Sequence, residues 1–396
     1  MVKDSKFGDP PSARPLTPLA AVIRDEVRSG ERTGVTADGT PCRGIAFRDY
    51  MALCLYHPRY GYYRSGPARV GREGDFYTSA NVGDVMGRVL ARFVERLARE
   101  RFGPAGDVDV IDWGGGTGRL SAAMLDAWEE TGVTRFKVTI VDGHPAHRRL
   151  AEETLAERLR NGTARIMDGE AAEAADWRSR PVVLVANELL DAFPVRRFVR
   201  RKGTVMEWGV CWDEREEKPA PCLLDPDDAD PLVRAWLDDA GALLREGQWA
   251  EFCPDAEDWL RWLTGRLGDA SLVLIDYGDE TEELLGPHRM NGTFVCYRRH
   301  VAHDDPFAAP GEQDMTAHVN FTRIRQTLTQ AGWEPLWQGT QKRFLVEQGV
   351  LDLLTGHAIA DPFHPLARRN RAVRQLLLSD GMSELFKVHV YALRRS

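Results

Sequence analysis

The stretch VDVIDWGGGTGRLSAAML, residues 108–125, constrains the chain more than any other. A short apolar run ends in an acid. Three consecutive glycines and a Thr-Gly follow, and the residues after them have a helix-like pattern. This reads as a buried strand, a tight turn and a helix, the unit from which open α/β sheets are assembled. Glycines in such a turn let bare backbone approach a ligand that side chains would exclude. Glycine turns also occur where a strand merely meets a helix. A dinucleotide site wants G-x-G-x-x-G. Counted from Gly114, the third glycine would fall on Arg119, and no other start gives that pattern.

The alternation continues downstream. FKVTIVDG reads as a strand, PAHRRLAEETLAERLR as a helix, ARIMD as a short strand, and PVVLVANELLDA as a buried strand ending in polar residues. DWLRWLTGRL and FTRIRQTLTQAGW read as helices, SLVLIDYG as another buried strand, and KRFLVEQGV closes the pattern. Such an order predicts an α/β fold, a parallel sheet with helices on both faces. It occupies residues 104–396, with insertions around 200–265 and 280–320. Within the first insertion RRFVRRKGTVMEWGVCW reads as an antiparallel hairpin, and the acidic, proline-rich residues 213–232 as a solvated excursion. Residues 1–16 read as a flexible arm and 17–103 as a helical part. Helices are expected over residues 18–28 and within IAFRDYMALCLYHPRYGYY, stopping near His57-Pro58. GREGDFYTS reads as a loop. Val85, Met86, Val89, Leu90, Phe93, Val94 and Leu97 recur at helical spacing and mark an amphipathic helix.

At 396 residues the chain exceeds what one core usually serves, and 43% apolar with 28% charged residues is a globular mix. A net charge of -8 argues against a nucleic-acid or anionic-membrane binder. No apolar run reaches about 18 residues, so no membrane span is expected. The start, MVKDSKFGDPPSARPLTPL, has no apolar signal core. The six cysteines form no C-x-x-C, which suits a reducing compartment, and a bacterial cytoplasm is expected. His288, His300, His303 and His318 share one stretch, but at no common zinc spacing, so no metal is expected.

The pattern acid-x-G-x-G-x-G is met in full by Asp112, Gly114, Gly116 and Gly118. It resembles motif I of class I methyltransferases, which bind S-adenosylmethionine (SAM). Asp142 ends the next strand, where an ionised carboxylate can accept hydrogen bonds from both ribose hydroxyls. Asp168 ends the third strand, where this fold commonly meets the adenine amino group; capping the next helix is the rival role. Asn187, Glu188 and Asp191 follow the fourth strand, at the rim where open α/β sheets place their chemistry. Helix capping rivals that reading for Asn187 and Asp191.

Several longer segments extend the resemblance: FRDYMALCLYHPRYGYY, GREGDFYTS, VIDWGGGTGRL, VANELLDAFPVRRF, VLIDYG, GTFVCYRRHVAHDDPFAAPGEQDMTAHVNFT and MSELFKV. Together they resemble the MidA-type methyltransferases, whose mitochondrial member is a protein-arginine methyltransferase that assists assembly of respiratory complex I. The resemblance runs from about residue 20 to the C-terminus. It implies a class I, Rossmann-like methyltransferase core with SAM as cofactor, an N-terminal helical part and an inserted substrate-side region. Two segments depart from the family pattern: SANVGDVMG, where an apolar-proline-acid run is usual, and DGHP after the second strand.

The expected chemistry follows. An arginine nucleophile arrives charged, and carboxylates match its planar fork. Glu188 is expected to hold the guanidinium and Asp191 to help, with Asn187 beside them. Gly74, Asp75 and Thr78, in GREGDFYTS, are candidates near cofactor or substrate. The leading expectation is methyl transfer to arginine in a protein substrate. One alternative is a small-molecule O- or N-methyltransferase, with His318 as general base for a hydroxyl. The other is an assembly factor that binds SAM without catalysis.

Overall fold

The computed structural model describes residues 17–66, 84–226, 230–299, 301–354, 361, 364–378 and 382–394. The chain opens with α1 (Pro18–Ser29), capped by the Thr17 hydroxyl, which accepts from the Ala20 N–H at 3.1 Å. Proline at the first helical position fits there because its missing N–H would have had no partner. Strands β1 (Thr33–Val35) and β2 (Pro41–Ala46) follow, then α2 (Phe47–Tyr56) and α3 (Val85–Phe102). The apolar stripe expected on α3 is buried throughout, from Val85 to Leu97. The expectation that residues 17–103 are helical needs correction, because β1 and β2 form an antiparallel hairpin. Their alternation is only a few residues long and holds two glycines, so it carries little strand signal.

The predicted alternation then unfolds as β3 (Val108–Trp113), α4 (Arg119–Glu130), β4 (Phe136–Val141), α5 (Pro145–Thr154), α6 (Ala156–Arg160), β5 (Ala164–Met167), α7 (Gly169–Ala174) and β6 (Val182–Asn187). The predicted hairpin is β7 (Arg196–Arg201) and β8 (Thr204–Asp213). Residues 213–232 are not simply a solvated excursion, since β9 (Lys218–Leu224) pairs antiparallel with β8. Next come α8 (Pro231–Asp238), β10 (Trp249–Phe252), α9 (Pro254–Arg266), β11 (Ala270–Asp279), α10 (Thr281–Leu284) and the short strands β12 (Val295–Arg298), β13 (Val301–His303), β14 (Asp314–Thr316) and β15 (Val319–Asn320). The chain ends with α11 (Phe321–Gln330), β16 (Trp333–Thr340), α12 (Gln341–Glu347), α13 (Pro365–Leu378), α14 (Met382–Leu385) and β17 (Phe386–Leu393). KRFLVEQGV is thus largely helix α12, and the closing strands are β16 and β17.

The main sheet has the order β16-β17-β11-β6-β3-β4-β5, with β15 added alongside β11. Neighbours from β11 to β5 are parallel, while β17 runs antiparallel between β11 and β16. The central strands β3, β4, β6 and β11 are largely buried on both faces. Val110, Val183, Val185, Val273 and Ile275 pack toward α3 and α4. Ile111, Leu184, Ala186, Leu272 and Leu274 pack toward α9 and α11. This alternation is why the strands read as continuous apolar runs. The order reverses between β3 and β6, so a crevice opens beyond the carboxyl ends of these strands, where ligands bind in such sheets.

A second sheet, β10-β7-β8-β2-β1-β9, stands beside the first, with β9 also pairing back to β8. Arg197 anchors it, pairing with Glu251 at 3.0 Å. Its guanidinium lies 4.7–5.8 Å from the ring centres of Phe47, Trp208, Trp249 and Phe294. A third small sheet, β13-β12-β14, is built from the 280–320 region.

Candidate active site

The parallel register brings the ends of β3, β4, β6 and β11 to one rim. The glycine turn closes β3. Gly114, Gly116 and Gly118 have φ of 79°, 57° and 74°, values that L side chains rarely adopt. Among the described residues, chain neighbours aside, a Cβ on Gly116 would meet nothing nearer than the Gly114 carbonyl oxygen at 4.0 Å, so no described side chain crowds this backbone. Gly115 has a different constraint: its Cβ would lie 2.8 Å from Asp112 Cγ. Asp112 itself is 1% exposed and sits beneath the turn, where its Oδ2 accepts from the Ser121 hydroxyl at 2.6 Å. Burial, with the charge of Asp142 nearby, pushes its pKa up to about 6. Asp112 therefore ties the turn to the first turn of α4.

Asp142 stands over the turn. Its Oδ2 accepts from the Gly116 N–H at 2.9 Å and its Oδ1 from the His144 N–H at 2.7 Å. Burial opposes its charge, but His147 and these backbone donors hold its pKa below the usual carboxylate range. It is ionised at neutral pH, and each oxygen can accept a further hydrogen bond. Asp168 has the capping role, with Oδ1 accepting from the Ala171 N–H at 2.9 Å at the start of α7. Gly74, Asp75 and Thr78 lie outside the described residues.

On the other side of the switch point, Glu188 follows β6 with φ of 53°, one of four described non-glycine residues with positive φ. Such a conformation costs about 1–3 kcal/mol and persists where surrounding structure imposes it. The constraint here is visible. The Glu188 N–H donates to the Ile275 carbonyl at 2.8 Å. Asp276, toward the carboxyl end of β11, then gathers the next three backbone N–H groups on its Oδ2: Leu189 at 3.1 Å, Leu190 at 2.8 Å and Asp191 at 3.3 Å. Asn187 donates to Glu188 Oε1 at 3.3 Å, while its own Oδ1 is buried with no hydrogen-bond partner among the described residues.

Asp191 is buried, as are Asp276 and Asp314. Burial, then the charges of Asp276, Asp314 and Glu188, hold the Asp191 pKa far above the usual range. Burial and Glu188 push Asp276 up to about 7. The Tyr63 hydroxyl donates to Asp314 Oδ1 at 2.6 Å and the Tyr56 hydroxyl to the Ala192 carbonyl at 2.9 Å. Tyr277, also raised by burial and by Glu188, stacks on His318 with ring centres 6.4 Å apart. The rim thus gathers Asn187, Glu188, Asp191 and, one ring further out, His318.

Sequence reading missed Asp276 and Asp314 as site residues. VLIDYG carried a signal, being a buried strand that ends in an acid, like the strands before Asp112 and Asp142. Asp314 stands in GEQDMTAHV, whose local pattern shows no reason for burial.

The histidine stretch is dispersed. His288 pairs with Glu283 at 3.0 Å, His303 Nδ1 accepts from the Asp305 N–H at 3.3 Å, and His300 lies outside the described residues. His318 is held down at about 4, by burial and by Arg289.

Residues 85–339 match the family described as "Putative S-adenosyl-L-methionine-dependent methyltransferase". A protein from Burkholderia thailandensis, crystallised with S-adenosyl-homocysteine bound, superposes with a TM-score of 0.81 at 31% identity, over 94% of this chain and 91% of that one. The mitochondrial protein arginine methyltransferase NDUFAF7 of Danio rerio is 24% identical over 77% of this chain and 73% of its own length. Its Homo sapiens counterpart is 25% identical over 87% and 76%. Uncrowded backbone at Gly116, beside an ionised Asp142, fits a ligand with ribose hydroxyls and a cationic tail. The chain belongs to the MidA-type family of class I methyltransferases, and SAM is its cofactor.

Proposed function

We propose that this methyltransferase acts on the guanidinium of an arginine in a protein substrate. The observation that carries the reading is the rim of carboxylates: Glu188 in a left-handed conformation, with Asp191, Asp276 and Asp314 buried behind it. Burial and the neighbouring acids, Glu188 among them, raise the pKa values of Asp191 and Asp276, so an added positive charge would favour their ionised forms. A guanidinium is the planar cation that such a group accommodates, through paired charge-assisted hydrogen bonds. The arginine methyltransferases among its relatives support the same choice.

When bound, SAM supplies an electrophilic methyl group on its sulfonium. In this proposal the glycine turn and Asp142 hold the cofactor, Glu188 orients one guanidinium nitrogen in line with that methyl, and the aromatic rings exclude water. Carbon–sulfur cleavage accompanies carbon–nitrogen bond formation. The nitrogen then loses one proton, for which the Glu188 carboxylate is the proposed acceptor. His318 suits the hydroxyl-methylating alternative less well, because a base held at about 4 accepts protons poorly at neutral pH.

Incubating the protein with labelled SAM and a lysate of the host tests the reading. Label recovered after acid hydrolysis as methylarginine is expected; label confined to small molecules would reject it. Asp142→Ala is expected to weaken SAM binding by about 1–3 kcal/mol, the scale of lost charged hydrogen bonds. Unchanged affinity by calorimetry would remove Asp142 from the cofactor site.

The raised carboxyls give a pH prediction with a definite sign. The arginine cation favours their ionised forms, so its binding lowers their pKa values and releases protons. Affinity for an arginine peptide is therefore expected to rise with pH through about 7, where Asp276 titrates. Calorimetry in buffers of different ionisation enthalpy reads the released protons directly. A pH-independent affinity without proton release would mean that these acids do not face the substrate.

A further inference from the structure

Three cysteines of no recognised motif converge inside the second sheet. Strand β8 pairs with β2 through Gly44 opposite Cys211, and with β9 through Gly209 opposite Cys222. Because β2 pairs with β1 and β1 with β9, the strands β8-β2-β1-β9 close into a ring. The sulfurs of Cys42, Cys211 and Cys222 all lie within 4.8 Å of one another. Their apolar company is Leu224 and Ala220.

The packing leaves this room to sulfur. A Cβ on Gly44 would sit 2.9 Å from Cys222 Sγ, and one on Gly209 2.4 Å from Leu224 Cδ1. Cys211 and Cys222 are each 2% exposed, whereas Cys42 is only half-buried and offers a way in. Among the described residues no imidazole or carboxylate joins the group.

We propose that Cys42, Cys211 and Cys222 form a three-thiolate site for a soft monovalent metal ion of the Cu(I) type. An ion bonded to three sulfurs at about 2.3 Å holds them roughly 4 Å apart, within the span the strands already set. Thiolates select soft ions, and Cu(I) is satisfied by three donors, whereas structural zinc wants four. On binding, three S–H bonds give up their protons to solvent as three metal–sulfur bonds form. The ion then ties three strands of a ring whose own apolar core is small.

The test uses the reduced full-length protein, without oxygen, titrated with Cu(I) as its acetonitrile complex against a chromogenic Cu(I) chelator. One tightly held equivalent is expected. Cys42→Ser and Cys222→Ser should each weaken it by at least on the order of 100-fold, with SAM affinity unchanged as the check on folding. A second measurement needs no variant: Cu(I) should protect these three thiols of the wild type from maleimide, mapped by peptide mass spectrometry. Absence of binding, binding unchanged in both variants, or alkylation unaffected by Cu(I) would each show that the cysteines are only small apolar packing. Zn(II) displacing Cu(I) at equal concentration would overturn the three-coordinate assignment.

Discussion

Glu188→Gln is expected to leave SAM affinity unchanged while methyl transfer falls by on the order of 10²–10³-fold in kcat/KM. The substitution keeps the shape of the side chain and removes its charge. The backbone is held from elsewhere, by the Ile275 carbonyl and by Asp276 gathering the three following N–H groups. The variant should therefore fold, and its melting temperature with and without SAM checks that. An uncharged amide neither pairs with the guanidinium nor accepts the proton it sheds, so both orientation and proton removal are lost. Wild-type turnover in this variant would place the chemistry elsewhere. Activity that survives Glu188→Gln but disappears in His318→Ala, with methyl found on a hydroxyl, would replace arginine by a small hydroxylated substrate.

The contrast between Glu188 and Asp276 shows how much of the site the sequence reveals. Glu188 is legible because a buried apolar strand has no packing reason to end in Asn-Glu. Asp276 stands near the carboxyl end of a buried strand, but its work is done on a loop nearly ninety residues earlier. Only the parallel pairing of β6 with β11, Asn187 opposite Ile275, brings the two together. The same limit explains the second sheet. The central strands β3, β4, β6 and β11 are largely apolar runs buried on both faces, so their signal is local. Strands β1, β2 and β9 are interrupted by Gly or Pro and lack a continuous apolar run, and they gain their stability from neighbours distant in sequence. The three-cysteine cluster stays hidden for that reason, since residues 42, 211 and 222 meet only when the ring closes. Asp168 is the reverse case, where the sequence left two roles open and the geometry displays the helix cap.

Gly116→Ala is expected to weaken SAM binding by at least on the order of 100-fold while the fold persists. Its φ of 57° makes alanine cost about 1–2 kcal/mol, a modest part of a domain's stability. Among the described residues, chain neighbours aside, the new methyl group meets no atom nearer than 4.0 Å, so a larger effect points to what lies over the turn. The neighbouring glycine supplies the control. Gly115→Ala places its methyl 2.8 Å from Asp112 Cγ and 3.0 Å from Ile140 Cγ2, inside the protein. That variant should lose roughly 1–3 kcal/mol of stability through overpacking, and lose SAM only as the turn distorts. Two adjacent alanines thus separate the two demands on the same turn. One faces the cofactor, and the other faces the carboxylate that holds α4 in place. Calorimetry of SAM binding, set beside thermal melts of both variants, reads the difference. If Gly116→Ala binds SAM like the wild type, the cofactor does not cross this backbone. The reading of the turn as a SAM cradle then fails, whatever the rest of the rim does.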